Sequence, residues 1–265
     1  MAEISAAAVK ALREQTGQGM MECKKALQES NGNVDAARDL LRKKGLVTAE
    51  KKAGRATSEG LVAVKLNADK TSGAMVEVCC ETDFCARNDV FRATVAKVAD
   101  LAAAAPADGP IAPTPQMAAA VQEALTKIGE NMSCGRVVKI SAPRVAAYIH
   151  HNGKVGVLLG TDGPLDETTL ADLCMHIAFA DPLAITTDDV PANLVAKERE
   201  IAAAQAADSG KPANIVEKMV AGKVAKFLAS SALLEQPFIR DDKKKVKAVL
   251  GAAKVTAFAR FAVGQ

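Results

Sequence analysis

The chain has 265 residues, 49% hydrophobic and 25% charged, a composition that excludes disorder and is enough for about two to four folded modules. The mild net charge of +3 and the aromatic fraction of 3% argue against a nucleic-acid-binding surface, which needs dense positive charge or stacking rings. No apolar run approaches the roughly 18 residues of a membrane span and no signal peptide opens the chain, so the six cysteines predict free thiols in the cytoplasm.

Residues 1 to 45 carry the start and stop signals of three short helices. Ser5 is placed to cap the first helix, which is expected to end near Gly17. The second helix stops at an Asn-Gly pair, and the third ends with basic residues followed by Gly45. The sequence therefore predicts a three-helix module, followed by a basic connector over residues 46 to 58.

Two later parts of the chain repeat one order, in which strands are followed by helix. In the first part, the hairpin strands and the helices are predicted at residues 61–68, 74–81, 89–105 and 116–127. In the second part, the strands and the helix are predicted at residues 137–143, 146–160 and 167–180. We interpret these parts as two similar α+β halves, although no residue-level repeat connects them.

Residues 184 to 228 form a charged helical segment, a Ser-Gly-Lys-Pro break and a second charged segment, typical of two antiparallel helices with a thin apolar seam. The tail ends in VTAFARFAV, which alternates like a strand, so the helical hairpin is inserted into the second half. The predicted fold class is α+β with small antiparallel sheets. The predicted domains are 1–54 (three-helix module and linker), 55–140 (first half), 141–183 with 229–265 (second half) and 184–228 (inserted hairpin).

The stretch VCCETDFCARND, residues 78 to 89, places three cysteines within seven positions. Zinc sites pair C-x₂₋₄-C ligands with a matching second pair, whereas Cys79 and Cys80 are adjacent on a predicted strand and point to opposite faces. Free thiols are therefore favoured over a metal site. The central Thr-Asp-Phe sets an acid beside a large ring in a turn-like sequence, which leaves open a catalytic acid or a contact loop.

Other signals of catalysis or nucleotide binding are weak. Gly17 and Gly19 open a helix, but a helix precedes them and the third glycine of a dinucleotide-binding loop is missing. The histidines, at His150, His151 and His176, lie in no recognised catalytic motif. The residues themselves favour an interaction protein over an enzyme and predict no cofactor and no metal.

Two longer blocks resemble the elongation factor Ts family. Residues 12 to 27, LREQTGQGMMECKKAL, resemble its first signature, and residues 77 to 87, EVCCETDFCAR, resemble its second. Later blocks follow in the same order, including KIGEN at 127–131, YIH at 148–150 and EKMVAGKVAKF at 217–227. The resemblance covers essentially the whole chain, with departures at Cys79 and Cys85, where the family usually has Asn and Val.

The resemblance implies a guanine nucleotide exchange factor that promotes GDP release from elongation factor Tu during translation elongation. Such a factor binds the GDP-bound and nucleotide-free partner and performs no bond chemistry of its own. It implies an N-terminal module of ubiquitin-associated type, a two-part α+β core and an inserted antiparallel coiled coil. It predicts no membrane or nucleic-acid partner, and it leaves open a higher-order complex with two copies of each factor.

The resemblance also implies which residues touch the partner. It places Thr82, Asp83 and Phe84 on a loop tip beside the partner's magnesium and nucleotide site. The residues implied to support that contact are Ile128, Gly129 and His150. The residues implied to bind through the N-terminal module are Leu12, Arg13, Met20, Met21 and Lys24. Physically, an inserted ring would act as a wedge, and an added carboxylate would disturb the metal's coordination.

Two other functions stay open at the level of sequence. The basic stretch from Lys43 to Arg55 would suit an adaptor for RNA or the ribosome, whose binding would fall steeply with salt. The cysteines Cys79, Cys80 and Cys85 would suit a metal- or thiol-dependent redox enzyme, which would need bound zinc or a thiol of lowered pKa.

Overall fold

The computed structural model of the chain describes residues 4–52, 54–207 and 212–265. Its contacts divide the chain into two units: Met1–Lys65 with Ala74–Lys139 and Phe261–Gln265, and Leu66–Gly73 with Ile140–Arg260. Each unit combines helices with small sheets, which confirms the predicted α+β class. The finer division into domains at residues 54, 140, 183 and 228 stays a prediction.

Within residues 4–52 the first unit has the helices α1 (Ala6–Thr16), α2 (Met20–Glu29) and α3 (Val34–Lys52). Ser5 caps α1 as predicted, with its hydroxyl accepting a hydrogen bond from the Ala8 N–H at 3.2 Å. Gly17, at a φ of 69°, ends that helix. The apolar faces of the three helices pack into a small cluster of their own, which includes Leu12, Cys23, Ala26, Leu27, Ala37 and Leu41.

The third helix is longer than predicted. It continues through Gly45 to Lys52, so the predicted connector at residues 46–58 is helical in its first part. A glycine inside a helix costs only about 1 kcal/mol relative to alanine, so it does not by itself end one. A Cβ on Gly45 would lie 2.6 Å from the Thr126 side chain, so this glycine permits a close approach rather than a stop.

The rest of the first unit is a sheet covered by helices. Its elements in chain order are β1 (Glu59–Leu66), β2 (Ser72–Cys80), α4 (Asp83–Arg87), α5 (Asp89–Ala103), β3 (Gly109–Pro110), α6 (Pro115–Ile128) and β4 (Met132–Ser141). In the described residues the strand order is β1-β2-β4-β3. The buried core lies between this sheet and the apolar faces of α5 and α6, with Phe91, Val98, Met117 and Leu125 among its members.

The second unit holds the remaining elements, except for the last two residues of β9. In chain order they are β5 (Arg144–Ile149), β6 (Val155–Asp162), α7 (Glu167–Ala180), α8 (Ala192–Ala207), α9 (Ala213–Ser231), β7 (Pro237–Phe238), β8 (Asp241–Lys245), α10 (Val246–Leu250) and β9 (Lys254–Ala262). Strands β5, β6 and β9 form one sheet in that order, with β5 antiparallel to β6. Buried residues of β6 and α7 build its core, including Val157, Leu159, Leu170 and Ile177.

The inserted hairpin consists of α8 and α9. Among the described residues of these two helices, Ala202, Ala206 and Val224 are buried, whereas Ile201 and Ile215, which the sequence suggests for the seam, are exposed. Of the predicted Ser-Gly-Lys-Pro break, residues 209–211 lie outside the described residues. Among the helices that the structure describes, none is both long and apolar enough to cross a membrane.

Candidate partner-binding site

Thr82 begins the segment that the resemblance singles out. It is the N-cap of α4, because its Oγ1 accepts a hydrogen bond from the backbone N–H of Cys85 at 3.2 Å. Asp83 follows in the first turn, where the helix dipole favours a carboxylate. The expectation of a loop at Thr82, Asp83 and Phe84 is therefore corrected: Thr82 is the cap and the other two lie in a short helix, since Thr followed by Asp is a helix-starting pair.

Phe84 projects from this short helix into solvent. Its ring is 81% exposed, whereas the next two residues, Cys85 and Ala86, are buried in the core of the first unit. One side of α4 is thus anchored while the other presents a large apolar side chain. An aromatic ring held in water at this exposure is typical of a contact surface rather than of a core.

Asp83 is paired within its own helix. Its Oδ2 lies 3.0 Å from a guanidinium nitrogen of Arg87, one turn further on. The Arg87 side chain is 74% exposed and the Asp83 side chain 44%, so the pair contributes little to stability. The carboxylate can therefore exchange this partner for another cation.

Glu130 holds the cap of α4 from the side. Its carboxylate accepts hydrogen bonds from the Thr82 backbone N–H at 3.1 Å and from the Thr82 hydroxyl at 2.8 Å. Sequence reasoning missed this residue, and the KIGEN block was the one signal that could have pointed to it. The two implied supporting residues come just before it: Ile128 ends α6 and packs against the core, and Gly129 closes that helix at a φ of 85°.

His150 lies in the second unit, in the turn between β5 and β6. Its Nδ1 is 2.9 Å from the Tyr148 hydroxyl, and its ring centroid is 4.2 Å from that of His151. It is half-buried, so the ring is held in place but still reaches the surface. His176, in contrast, is buried in α7 and hydrogen-bonds Gln236, which makes it a structural residue.

The residues implied in the N-terminal module separate into two groups. Met20 and Met21 are 44% and 64% exposed at the start of α2, and Arg13 and Lys24 are also exposed. Leu12 is completely buried in the module's own cluster, so it can support this surface but does not belong to it.

The cysteines do not form a reactive site. All six are free, and burial raises the pKa of both Cys79 and Cys85 to about 11. Desolvation is also the main cause of the raised pKa of Cys80. A redox nucleophile needs a lowered pKa, so the raised pKa values of these thiols argue against the redox alternative. No cluster of three or more His, Cys, Asp or Glu side chains suited to a metal occurs within residues 4–52, 54–207 and 212–265.

The basic stretch considered for RNA binding has partners in its own unit. Lys44 bonds the Glu29 carboxylate at 2.9 Å, Arg55 lies 3.3 Å from Glu81, and the Lys52 ammonium contacts the Gly129 carbonyl. Pairs this exposed are weak and can be replaced, so they neither support nor exclude the RNA-binding alternative.

Comparison with known proteins gives a consistent result. A family described as Elongation factor TS matches residues 81–265. The chain is 45% identical over 272 residues to Elongation factor Ts of Thioalkalivibrio sulfidiphilus, covering 99% of this chain and 92% of that protein. It is 45% identical over 291 residues to Elongation factor Ts of Rhodospirillum centenum, covering 100% of this chain and 94% of that protein.

Proposed function

The chain belongs to the elongation factor Ts family, whose members are translation elongation factors that act with elongation factor Tu in nucleotide exchange, and we propose that it promotes GDP release through α4. In this proposal α4 enters beside the partner's magnesium and nucleotide site. The observation that supports it is the Phe84 ring, 81% exposed on a helix whose next two residues are buried.

Phe84 would act as a wedge. Protein interiors are packed about as densely as organic crystals, so a ring inserted between partner side chains forces them apart. The nucleotide-bound arrangement of the partner then costs more free energy than the nucleotide-free one. The anchors at Cys85 and Ala86 matter here, because a ring on a freely moving loop could turn aside instead of pushing.

Asp83 would act through its charge. A carboxylate brought near the magnesium ion competes with its existing oxygen ligands and repels the adjacent phosphate. Its pairing with Arg87, at 3.0 Å on the surface, is weak enough to be replaced when a metal ion is near.

The gripping surface would be separate from the wedge. Met20 and Met21 are exposed beside the charged Arg13 and Lys24, and methionine adapts well to an irregular partner surface. We include His150 in the second unit as a further contact, since it matches the family's YIH block. Residues 1–54 then serve mainly for binding, and α4 serves for exchange.

Exchange of this kind is governed by linkage. If the factor weakens GDP binding by some ratio, GDP weakens factor binding by the same ratio. Both the GDP-bound and the nucleotide-free partner must therefore bind. The factor changes how fast nucleotides equilibrate and makes or breaks no covalent bond.

The test is the release of a fluorescent GDP analogue from elongation factor Tu, measured by stopped flow at saturating factor. We expect Phe84→Ala to lower the maximal release rate by about tenfold or more, since losing a buried interface aromatic typically costs a few kcal/mol. The melting temperature should stay nearly unchanged, because the ring buries little in its own chain.

Phe179→Ala is the matched control. That ring, near the end of α7, is 79% exposed, so it loses the same atoms from a similarly open position. This variant distinguishes a loss that belongs to α4 from one that follows the removal of any exposed ring, so the maximal rate should fall more for Phe84→Ala than for Phe179→Ala. A wild-type rate for Phe84→Ala would refute the wedge, and unfolding of Phe84→Ala would show that the ring belongs to the core.

A further inference from the structure

We propose that Glu130 is a positioning residue for nucleotide exchange: it holds Thr82 and so sets the direction in which α4 presents Phe84. The inference rests on the function proposed for Phe84. Glu130 itself is assigned no contact with the partner. It acts through its hydrogen bonds inside the first unit.

The contact links three groups by hydrogen bonds: the Glu130 carboxylate, Thr82 and the Cys85 backbone N–H. Thr82 gives both of its donors to Glu130: the backbone N–H at 3.1 Å to Oε2, and the hydroxyl at 2.8 Å to Oε1. The same hydroxyl oxygen accepts the N–H of Cys85 at 3.2 Å. A hydroxyl has one proton to donate, so its donation to the carboxylate orients the oxygen lone pairs toward the helix. Hydrogen bonds to a charged acceptor are stronger than neutral ones, so the cap is held firmly.

The short length of α4 makes this cap important. A helix of five residues has little stability of its own, because nucleating the first turn is costly. The burial of Cys85 and Ala86 anchors one side of α4, and the Thr82–Glu130 bonds hold its first turn, where the Cys80 thiol also contacts the Thr82 carbonyl at 3.2 Å. Without the Thr82–Glu130 bonds, the turn that carries the aromatic ring could swing about the anchored side.

The position of Glu130 is itself well defined. Before it, Gly129 closes α6 with its N–H on the Leu125 carbonyl at 2.7 Å. After it, the buried Asn131 donates its backbone N–H to Glu81 at 2.6 Å and its side-chain amide to the Arg55 carbonyl at 2.8 Å. The backbone on both sides of Glu130 is thus held, so its carboxylate is a rigid support for the cap.

A positioning role predicts a specific kinetic pattern. The proposed gripping surface on α2 is untouched by a change at Glu130, so the factor concentration for half-maximal exchange should change little. The maximal rate should fall, because a misdirected ring no longer enters the nucleotide-bound packing. A purely structural role would lower the melting temperature without this selective loss of maximal rate.

The experiment measures GDP release from elongation factor Tu across a range of factor concentrations for Glu130→Ala, Glu130→Gln and Phe84→Ala. We expect Glu130→Ala to lower the maximal rate about tenfold, because charge-assisted hydrogen bonds are lost. The factor concentration that gives half of the maximal rate should change by less than about twofold. Glu130→Gln keeps one acceptor oxygen but loses the charge and places its amide NH2 against a Thr82 donor, so its maximal rate should lie between those of Glu130→Ala and the wild type. Glu123→Ala is the control: it removes a carboxylate on α6 that pairs with Lys127 instead, and it should leave both parameters unchanged.

The double variant Phe84→Ala/Glu130→Ala separates the two proposals. If Glu130 acts through the ring, the double variant should be no slower than Phe84→Ala alone. Independent, additive losses would overturn the positioning role, and so would a wild-type maximal rate for Glu130→Ala. A wild-type rate for Phe84→Ala would instead refute the proposed function. If Glu130→Ala does not fold, Thr82→Val replaces it, because it removes the hydroxyl at nearly constant volume; an unchanged maximal rate would then overturn the inference.

Discussion

Cys85 is the buried anchor of α4, at 2% exposure. A free thiol at such a position packs as a small apolar side chain, comparable to the valine that the resemblance leads us to expect there. Burial raises its pKa to about 11, and the nearby Glu130 carboxylate adds to that shift. The thiol therefore stays neutral at ordinary pH and serves as a small core side chain.

His176 is the residue at which stability should depend on pH. Gln236 donates its side-chain amide to the Ser230 carbonyl at 2.7 Å, so its oxygen faces His176 Nε2, 2.9 Å away, and that nitrogen carries the proton. The other ring nitrogen has no hydrogen-bond partner among the described residues. Burial lowers the pKa of His176, so the folded state favours the neutral ring.

We predict that His176→Gln lowers the free energy of unfolding at pH 8 by about 1 kcal/mol, since it keeps a donor for Gln236 but packs less well. In the wild type, the unfolded histidine takes up a proton below a pH of about 6.5 while the folded one resists it. The contribution of His176 to the free energy of unfolding is therefore fully present above that pH and is lost as the pH falls. Urea unfolding at pH values from 8 to 5 should show that the difference in free energy of unfolding between the wild type and His176→Gln becomes smaller. A constant difference would contradict the assignment of the pH dependence to His176.

At the scale of elements, α8 and α9 are joined to the second unit at their base. The Leu183 N–H donates to the Ser231 carbonyl at 2.8 Å, and Ala184 pairs with Ala232 in a short parallel bridge. The main buried cluster of that unit, over the described residues, draws no member from α8 or α9. The hairpin beyond its base is therefore separate from the core.

The sequence predicts the hairpin from residue 184, but Ala184 bridges to Ala232 and Ile185 packs against the core, so the replacement begins at α8. Replacing residues 192–228 with a short Gly/Ser linker should leave a folded protein with one cooperative thermal transition. The base at residues 183–190 and 229–233 is kept, because it contacts the core. We expect the melting temperature to fall by only a few degrees, as for loss of a peripheral element. Calorimetry decides the question, and a product without a cooperative transition would show that the hairpin is needed for folding.

At the scale of the whole molecule, the first unit contains two separate apolar clusters. One is formed by residues 9–41 of the three helices, and the other by residues 74–137 of the sheet and its helices. Between them lie polar or close contacts, such as the Gln18 side-chain amide on the Thr126 carbonyl at 3.1 Å. The two clusters share no buried member, so we expect the sheet and its helices to stay folded without residues 1–54.

Deleting residues 1–54 should leave a folded remainder and weaken binding to elongation factor Tu by about a hundredfold or more, as expected when several interface anchors are lost together. Calorimetric titration measures the affinity, and circular dichroism checks the fold. A double substitution, Met20→Ala/Met21→Ala, is the milder companion and should weaken binding less. Unchanged affinity in the deletion would show that Arg13, Met20, Met21 and Lys24 are not contacts.

The sequence by itself determined most helices and strands, since their signals are local. The predicted helix at residues 167–180 matches α7 at both ends, and the hairpin strands match β1 and β2 within two residues. Caps and periodicity depend on residues a few positions apart, so they can be read along the chain. The resemblance added the candidate contacts, of which Phe84, Met20 and Met21 are exposed in the structure.

Only the tertiary structure decided three further points. Gly45 lies inside a helix and close to Thr126, Leu12 is buried within its module, and Glu130 holds Thr82. Thr82 and Glu130 are 48 positions apart, and nothing local in either segment records the other. Such contacts depend on how a whole unit packs, which the sequence expresses only through the balance of all its burial and hydrogen bonds.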